Sequence, residues 1–123
     1  MIHNSKTVGA DGEEEAFLYL KKQGFSLIER NYRTQGGEVD LIMKDGEYTV
    51  FVEVKFRQSE SYGEAVDLVP AWKQKRLIRA ATSFLVEKNS YHNTYARFDI
   101  IAIFANKNDR ITWIKNAFEV NYR

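Results

Sequence analysis

The chain has 123 residues, 44% of them hydrophobic and 14% aromatic, with 18 basic residues against 17 acidic ones; this suits one domain over 1–123 and excludes a generally basic nucleic-acid coat. With no cysteine, and with His3 and His92 far apart, disulfide frameworks, zinc ribbons and thiol catalysis are excluded, and any metal needs carboxylate ligands. The longest apolar run, residues 100–105, is far short of the roughly 18–20 residues of a membrane helix, and no apolar leader is present, so a soluble, cytoplasmic protein without a membrane partner is expected.

Residues 1–8 read as a loose arm. Residues 12–23 are predicted helical: Glu13, Glu14 and Glu15 complement the positive end of the dipole, and Gly24 stands ready to cap the other end. Ala16, Phe17 and Leu20 follow Glu13 by three, four and seven residues, so Glu13 lies on the inward face while Glu14 and Glu15 point elsewhere. A strand is predicted over 25–33, a turn over 35–37, and a hairpin of strands 38–44 and 47–57 around Asp45-Gly46. A loop marked by Gly63 runs to Pro70. A second helix over 70–88 carries Leu77, Ala81, Phe84 and Leu85 as its buried stripe, and strands over 97–104 and 111–118 complete the set. The order predicts an α/β fold, a mixed five-stranded sheet with helices packed on it.

The hairpin gathers the candidate chemistry. A two-residue turn at Asp45-Gly46 sets Asp40 opposite Phe51 and Glu38 opposite Glu53, so Asp40, Glu53 and Lys55 emerge on one face and Val50, Val52 and Val54 on the other. The valine face is expected to be core, leaving two acids and a lysine half-buried beside Phe51. An exposed strand face bearing a cross-strand ion pair would show the same residues. Glu-x-Lys spacing decides nothing, since roughly 1.4 acid-x-Lys triplets are expected by chance from this composition. Position does more: the triplet ends a strand whose hairpin partner brings Asp40 to the same face, and Glu13 adds a helix-borne acid. Three carboxylates suit Mg²⁺ or Mn²⁺, with Lys55 placed to hold or activate an attacking water. Glu38, facing Glu53 as a like charge, is expected in a supporting position behind the ligands.

Several motifs in order now resemble a known family: Gly9-x-x-Gly12-Glu13-x-x-Ala16, Asn31-Tyr32-Arg33, Gly37-Glu38-Val39-Asp40-Leu41-Ile42, Phe51-Val52-Glu53-Val54-Lys55-x-Arg57, Ala65-Val66, Lys73-x-x-Arg76-Leu77 with Ala80-Ala81, and Arg97-Phe98-Asp99. They closely resemble the YraN family, small bacterial proteins similar to Holliday junction resolvases, within the PD-(D/E)xK nuclease superfamily. The superfamily's name-giving proline is replaced by Val39. The resemblance, from Gly9 to about Phe104, implies a restriction-endonuclease-like fold with Asp40, Glu53 and Lys55 in the metal and catalytic positions and Glu13 as the helix-borne acid. It also implies a metal-dependent phosphodiesterase acting on DNA, branched or flapped, or a DNA-binding protein of recombination or repair that keeps the fold without the activity.

Charge is uneven along the chain, −1 over 1–30, −2 over 31–60, +2 over 61–90 and +2 over 91–123. Lys73, Lys75, Arg76 and Arg79 sit in the first turns of the second helix, where cations oppose the dipole and a phosphate backbone would relieve them; a solvated helix face would carry the same residues. Arg33, Arg57 and Tyr62 are candidates to extend this surface toward the carboxylates. Asp99 is expected to pair structurally with Arg97 or Arg33. Trp72 and Trp113 are expected at partial-core positions, with stacking on a base as the second reading. Cleavage of a junction would call for a homodimer presenting two sites.

Overall fold

The computed structural model describes residues 5–57, 69–91, 93–104 and 110–119, residues 5–11 as backbone alone. Tyr62, Gly63, the Ala65-Val66 motif, His3 and His92 lie outside the described residues. The chain runs α1 (Ser5–Lys22), β1 (Ser26–Thr34), β2 (Gly37–Asp45), β3 (Tyr48–Arg57), α2 (Ala71–Glu87), β4 (Tyr95–Phe104) and β5 (Ile111–Phe118). The strands form one sheet in sequence order, antiparallel at every step except β3 to β4, which is parallel. A parallel step cannot be made by a tight turn, and α2 lies in the chain between its two strands. This is the α/β, restriction-endonuclease-like arrangement that the motifs imply.

Both faces of the sheet are buried. Val50, Val52, Ile101 and Ile103 turn to one side and pack with Ala16 and Leu20 of α1. Phe51, Phe98, Ile100 and Ala102 turn to the other and pack with Leu77, Ala80, Ala81 and Phe84 of α2. The expectation of one core face is therefore corrected: Phe51 is as deeply buried as the valines beside it, because a helix covers each side of the central strands.

Three further expectations shift. α1 begins at Ser5, inside the stretch read as an arm and more than two turns before Glu13. Glu13, Glu14 and Glu15 are thus mid-helix and do not serve the dipole. Gly9 and Gly12 are poor helix formers, which made a start at residue 12 plausible; packing of Ala16 and Leu20 on the sheet overrides that local cost. The hairpin turn is displaced as well. Asp45 pairs with Tyr48 and Ile42 with Phe51, so the two-residue loop is Gly46-Glu47. Gly46 has φ 59° and Glu47 is not left-handed, which fits a II′ turn, where only the first central residue needs positive φ.

A buried network closes the other end of the central strands. Asp99 accepts a bidentate pair from Arg97 at 2.9 and 3.1 Å, the Trp113 indole N–H at 2.9 Å and the Asn116 backbone N–H at 2.9 Å. Arg97 also reaches Asp45 at 3.1 Å. Every charge in the cluster is paired, as burial requires. The structural role expected for Asp99, with Arg97 as partner, is what the fold shows.

Candidate metal and nucleic-acid site

The site forms where the sheet splits. β2 pairs with β3 only as far as Leu41–Val52; its first residues pair instead with β1, through Tyr32–Val39, Arg33–Glu38 and Thr34–Gly37. β3 runs on beside β4 to Arg57–Phe104. Between the diverging ends, the Val54 N–H meets no carbonyl of β2 and donates to Asp40 Oδ2 at 2.9 Å. A buried amide must be satisfied, so the split itself fixes the Asp40 carboxylate in the cleft.

Extending the register places Asp40 opposite Glu53, not Phe51. The displacement is two residues, which preserves every side-chain face, so Asp40, Glu53 and Lys55 still gather on one side. Glu53 is 4% exposed. Its Oε2 takes two ammoniums as ion pairs, Lys55 at 3.0 Å and Lys73 at 2.6 Å, and has no directed hydrogen bond of its own. Lys73 comes from α2, across the cleft.

Protonation follows from this crowding. Burial, then the charge of Glu53 and a hydrogen bond to it, pushes the Asp40 carboxyl up to about 8. Burial would also raise Glu53, but the hydrogen bond from Asp40 and the ammoniums of Lys73 and Lys55 outweigh it and hold Glu53 low. At neutral pH the two carboxyls therefore share one proton, resident on Asp40. Burial and the neighbouring Lys73 depress Lys55, while Glu53 and Lys55 together raise Lys73 despite burial.

Glu13 is half-buried and faces the same region. Burial raises its carboxyl, and the charges of Glu38 and Glu53 add to this, against an Asn31 hydrogen bond and the charge of Arg30. It senses the pair electrostatically without joining it: among the described residues no three acidic or histidine side chains lie at metal-ligand spacing. Asn31 was not singled out as a site residue. It has φ 52° inside β1, between the pairs Arg30–Leu41 and Tyr32–Val39, and so sits across from Asp40. A left-handed, non-glycine residue in mid-strand is a local strain that asparagine tolerates better than most.

Other predicted residues are placed differently. Glu38 does not oppose Glu53; it pairs with Arg33 at 3.2 Å on the exposed side of β1–β2. This follows from the shifted register, and it ties Arg33 to a carboxylate. Arg57 is half-buried, with Nη1 on the Phe56 carbonyl at 3.1 Å. Lys75, Arg76 and Arg79 are exposed, whereas Lys73 turns into the cleft. The β1–β2 turn seats against this helix: a Cβ on Gly37 would lie 2.2 Å from the Arg76 carbonyl oxygen, so only glycine allows the approach. Trp113 is partial core as expected, edge-on to Tyr19 and Phe25, but Trp72 is 62% exposed. No helix among the described residues is long and apolar enough to cross a membrane.

Chemically, the cleft is a carboxylate pair in excess of the charge it can hold when dry. Glu53 Oε2 is buried against the Lys55 and Lys73 ammoniums, and Asp40 keeps a proton that ordinary carboxyls have lost at neutral pH. A hard divalent cation fits such a donor set, since Mg²⁺ accepts one or two carboxylates and fills the remainder with water.

The family model described as "Uncharacterised protein family UPF0102" matches residues 12–103, which include Glu13, Asp40, Glu53, Lys55 and Lys73. The chain is 51% identical to a UPF0102 protein of Herminiimonas arsenicoxydans over 113 residues, 91% of this chain and 86% of that one. It is 41% identical to a UPF0102 protein of Coxiella burnetii (strain RSA 493 / Nine Mile phase I) over 122 residues, 99% and 100% of the two chains. A UPF0102 protein of Klebsiella pneumoniae subsp. pneumoniae is 44% identical over 115 residues, 93% and 88%.

Proposed function

On the premise that this chain belongs to the UPF0102 family, we propose that it is a metal-dependent phosphodiesterase that cuts DNA at the split between β2 and β3. The observation that carries this reading is the Asp40–Glu53 pair: a half-buried and a buried carboxyl forced together until one keeps its proton near neutrality. A scaffold with no use for a cation gains nothing from that repulsion, which raises the free energy of the folded state.

Asp40 and Glu53 are the residues to hold Mg²⁺ or Mn²⁺. When bound, the cation supplies neutralisation of phosphate charge and a water of lowered pKa. Val54, through its backbone N–H, orients the Asp40 carboxylate. Lys55, whose proton affinity burial and the neighbouring Lys73 lower, orients an attacking water and, once it has given up its own proton to solvent, can take up that water's proton. Lys73, which holds Glu53 Oε2 from across the cleft, would be free to offer its charge to the phosphate were that carboxylate used to hold the cation. Glu13, held by Asn31, lies outside the ligand pair and accepts from the surrounding waters. Lys75, Arg76 and Arg79 grip the backbone away from the reacting phosphate, and Arg33 and Arg57, with part of their capacity already used, would extend that grip.

One observation favours a second reading. Lys55 and Lys73 already balance Glu53 without any cation, as they would in a DNA-binding protein that had lost catalysis. A single assay separates the two: incubation of nicked, flapped, four-way-junction and linear duplex DNA with Mg²⁺ or Mn²⁺. Strand scission by wild type that disappears in Glu53→Gln and with chelator supports the enzyme; binding without scission at any metal concentration leaves the binder. Cutting of a junction by paired incisions would add the homodimer.

A further inference from the structure

Trp72 opens α2 with 62% of its surface exposed, an unusual place for one of only two tryptophans in the chain. Trp113 shows what a tied-down indole looks like here, its N–H given to Asp99 and its ring packed by Tyr19 and Phe25. Among the described residues no ring stacks on Trp72.

Its neighbours on the helix surface are cations. Residues 72, 75, 76 and 79 fall at helical spacings of three, four and seven, so Trp72, Lys75, Arg76 and Arg79 share one exposed face. Leu77, Ala80, Ala81 and Phe84 hold the opposite, buried one. None of the three cations has an acidic partner among the described residues. The next residue, Lys73, turns inward and touches Glu53 at 2.6 Å. The exposed indole thus shares a face with three cations and directly precedes the lysine that reaches the carboxylate cleft.

Cations alone would recognise any phosphate backbone. An exposed indole adds a contact that only a base with an open face can use, and inside a duplex both faces of each base are covered; such stacking contributes about 1–3 kcal/mol per base. We propose that Trp72 is a stacking platform for an unpaired base, with Lys75, Arg76 and Arg79 holding the phosphates beside it, so that the preferred substrate is DNA carrying a single-stranded element next to the cut. The substrate preference rests on the metal-site reading above; the binding platform does not.

The full-length chain can be tested by its own fluorescence, without metal. Oligo(dT), a forked duplex with a thymine tail, and a blunt duplex of equal length are titrated in turn. Quenching is expected with the oligo(dT) and the fork but not with the blunt duplex. Trp72→Ala should weaken oligo(dT) and fork binding by about 5- to 150-fold, the fold-change equivalent of the stacking range, leave blunt-duplex affinity within about twofold, and lose the quench. Trp72→Phe should restore most of the affinity but not the signal, an outcome that separates stacking from a change in helix stability. Equal affinity of wild type and Trp72→Ala for oligo(dT), or equal quenching by blunt duplex, overturns the platform while leaving the metal site to its cleavage assay. Binding to none of the three DNAs overturns the platform and the basic face together, whereas loss of cleavage with intact selective quenching overturns only the catalytic reading.

Discussion

Replacing Asp40 with asparagine removes the charge that the cleft cannot hold, and its consequences can be worked out in sign and size. The Asp40 carboxyl moves from 3.8 unfolded to about 8 folded, so the folded state holds a proton that the unfolded chain has released across that whole interval. Stability contributed by the proton is fully present below pH 3.8 and is lost as pH rises through 8. The steepest loss is about 1.4 kcal/mol per pH unit, which would total several kcal/mol, less whatever the coupled Glu53, Lys55, Lys73 and Glu13 absorb by readjusting. The asparagine side chain introduced by Asp40→Asn mimics the protonated acid: its amide can donate to Glu53 while its oxygen accepts from Val54. Wild type should therefore melt at progressively lower temperature from pH 5 to pH 8, and Asp40→Asn should melt higher at pH 8 with a flatter profile. A cation must displace the proton, so wild-type Mn²⁺ affinity should rise up to about tenfold per pH unit until pH 8. At 100 times its dissociation constant, Mn²⁺ adds about 2.7 kcal/mol, roughly 10 °C in melting temperature for a domain of this size. Differential scanning fluorimetry over pH and Mn²⁺ concentration reads all of this. A Mn²⁺ shift of the same size in Asp40→Asn, or parallel pH profiles for the two proteins, would refute the reasoning.

Other perturbations probe the frame around the cleft. Asp99→Ala leaves Arg97, whose side chain is 7% exposed, with Asp45 alone and removes the acceptor of the Trp113 and Asn116 N–H groups, and should cost about 3–5 kcal/mol in denaturant unfolding; a loss under about 1 kcal/mol would mean that the network is not structural. Gly37→Ala drives a Cβ into the Arg76 carbonyl and should destabilise by about 1–3 kcal/mol, with a melting temperature unchanged from wild type counting against the close seating of the turn on α2. Lys75→Ala, Arg76→Ala and Arg79→Ala together should weaken binding to every DNA and reduce the salt slope by about 0.9 per lost contact, whereas Lys55→Ala should bind DNA as wild type does and abolish Mn²⁺-dependent cutting. An unchanged salt slope in the triple variant would remove the basic face from the account.

Much of this arrangement was readable in the sequence because β-structure is forgiving in one respect. The Asp-Gly dipeptide pointed to a hairpin, and treating Asp45 and Gly46 as its central residues misplaced the register by two; an even shift changes partners but never faces, so Asp40, Glu53 and Lys55 were grouped correctly while Glu38 was given the wrong partner. The helices show what a single face argument can and cannot reach. Glu13 was found by its phase relative to Ala16, Phe17 and Leu20, and the same test applied to Lys73, which precedes Leu77, Ala80, Ala81 and Phe84 by four, seven, eight and eleven residues, would have turned it inward to Glu53. Its membership of a run of basic residues concealed that. Trp72 carries the converse lesson: its phase belongs with Lys75, Arg76 and Arg79, yet hydrophobicity suggested core. The splitting of β2 from β3, and the left-handed Asn31 opposite Asp40, leave no periodic trace, because they depend on which strand wins the pairing at each residue.

Crystals grown without metal and soaked in Mn²⁺ at pH 8 put the cleft itself to the test, since manganese is located by its anomalous scattering whatever the activity. A peak between Asp40 and Glu53, with the Lys73 ammonium displaced from Glu53 Oε2, is the expected result. An empty cleft at saturating Mn²⁺, with Lys73 still seated on Glu53 and Asp40 still bonded only to Val54 and its neighbouring carboxyl, would contradict the assignment of this pair as a metal site.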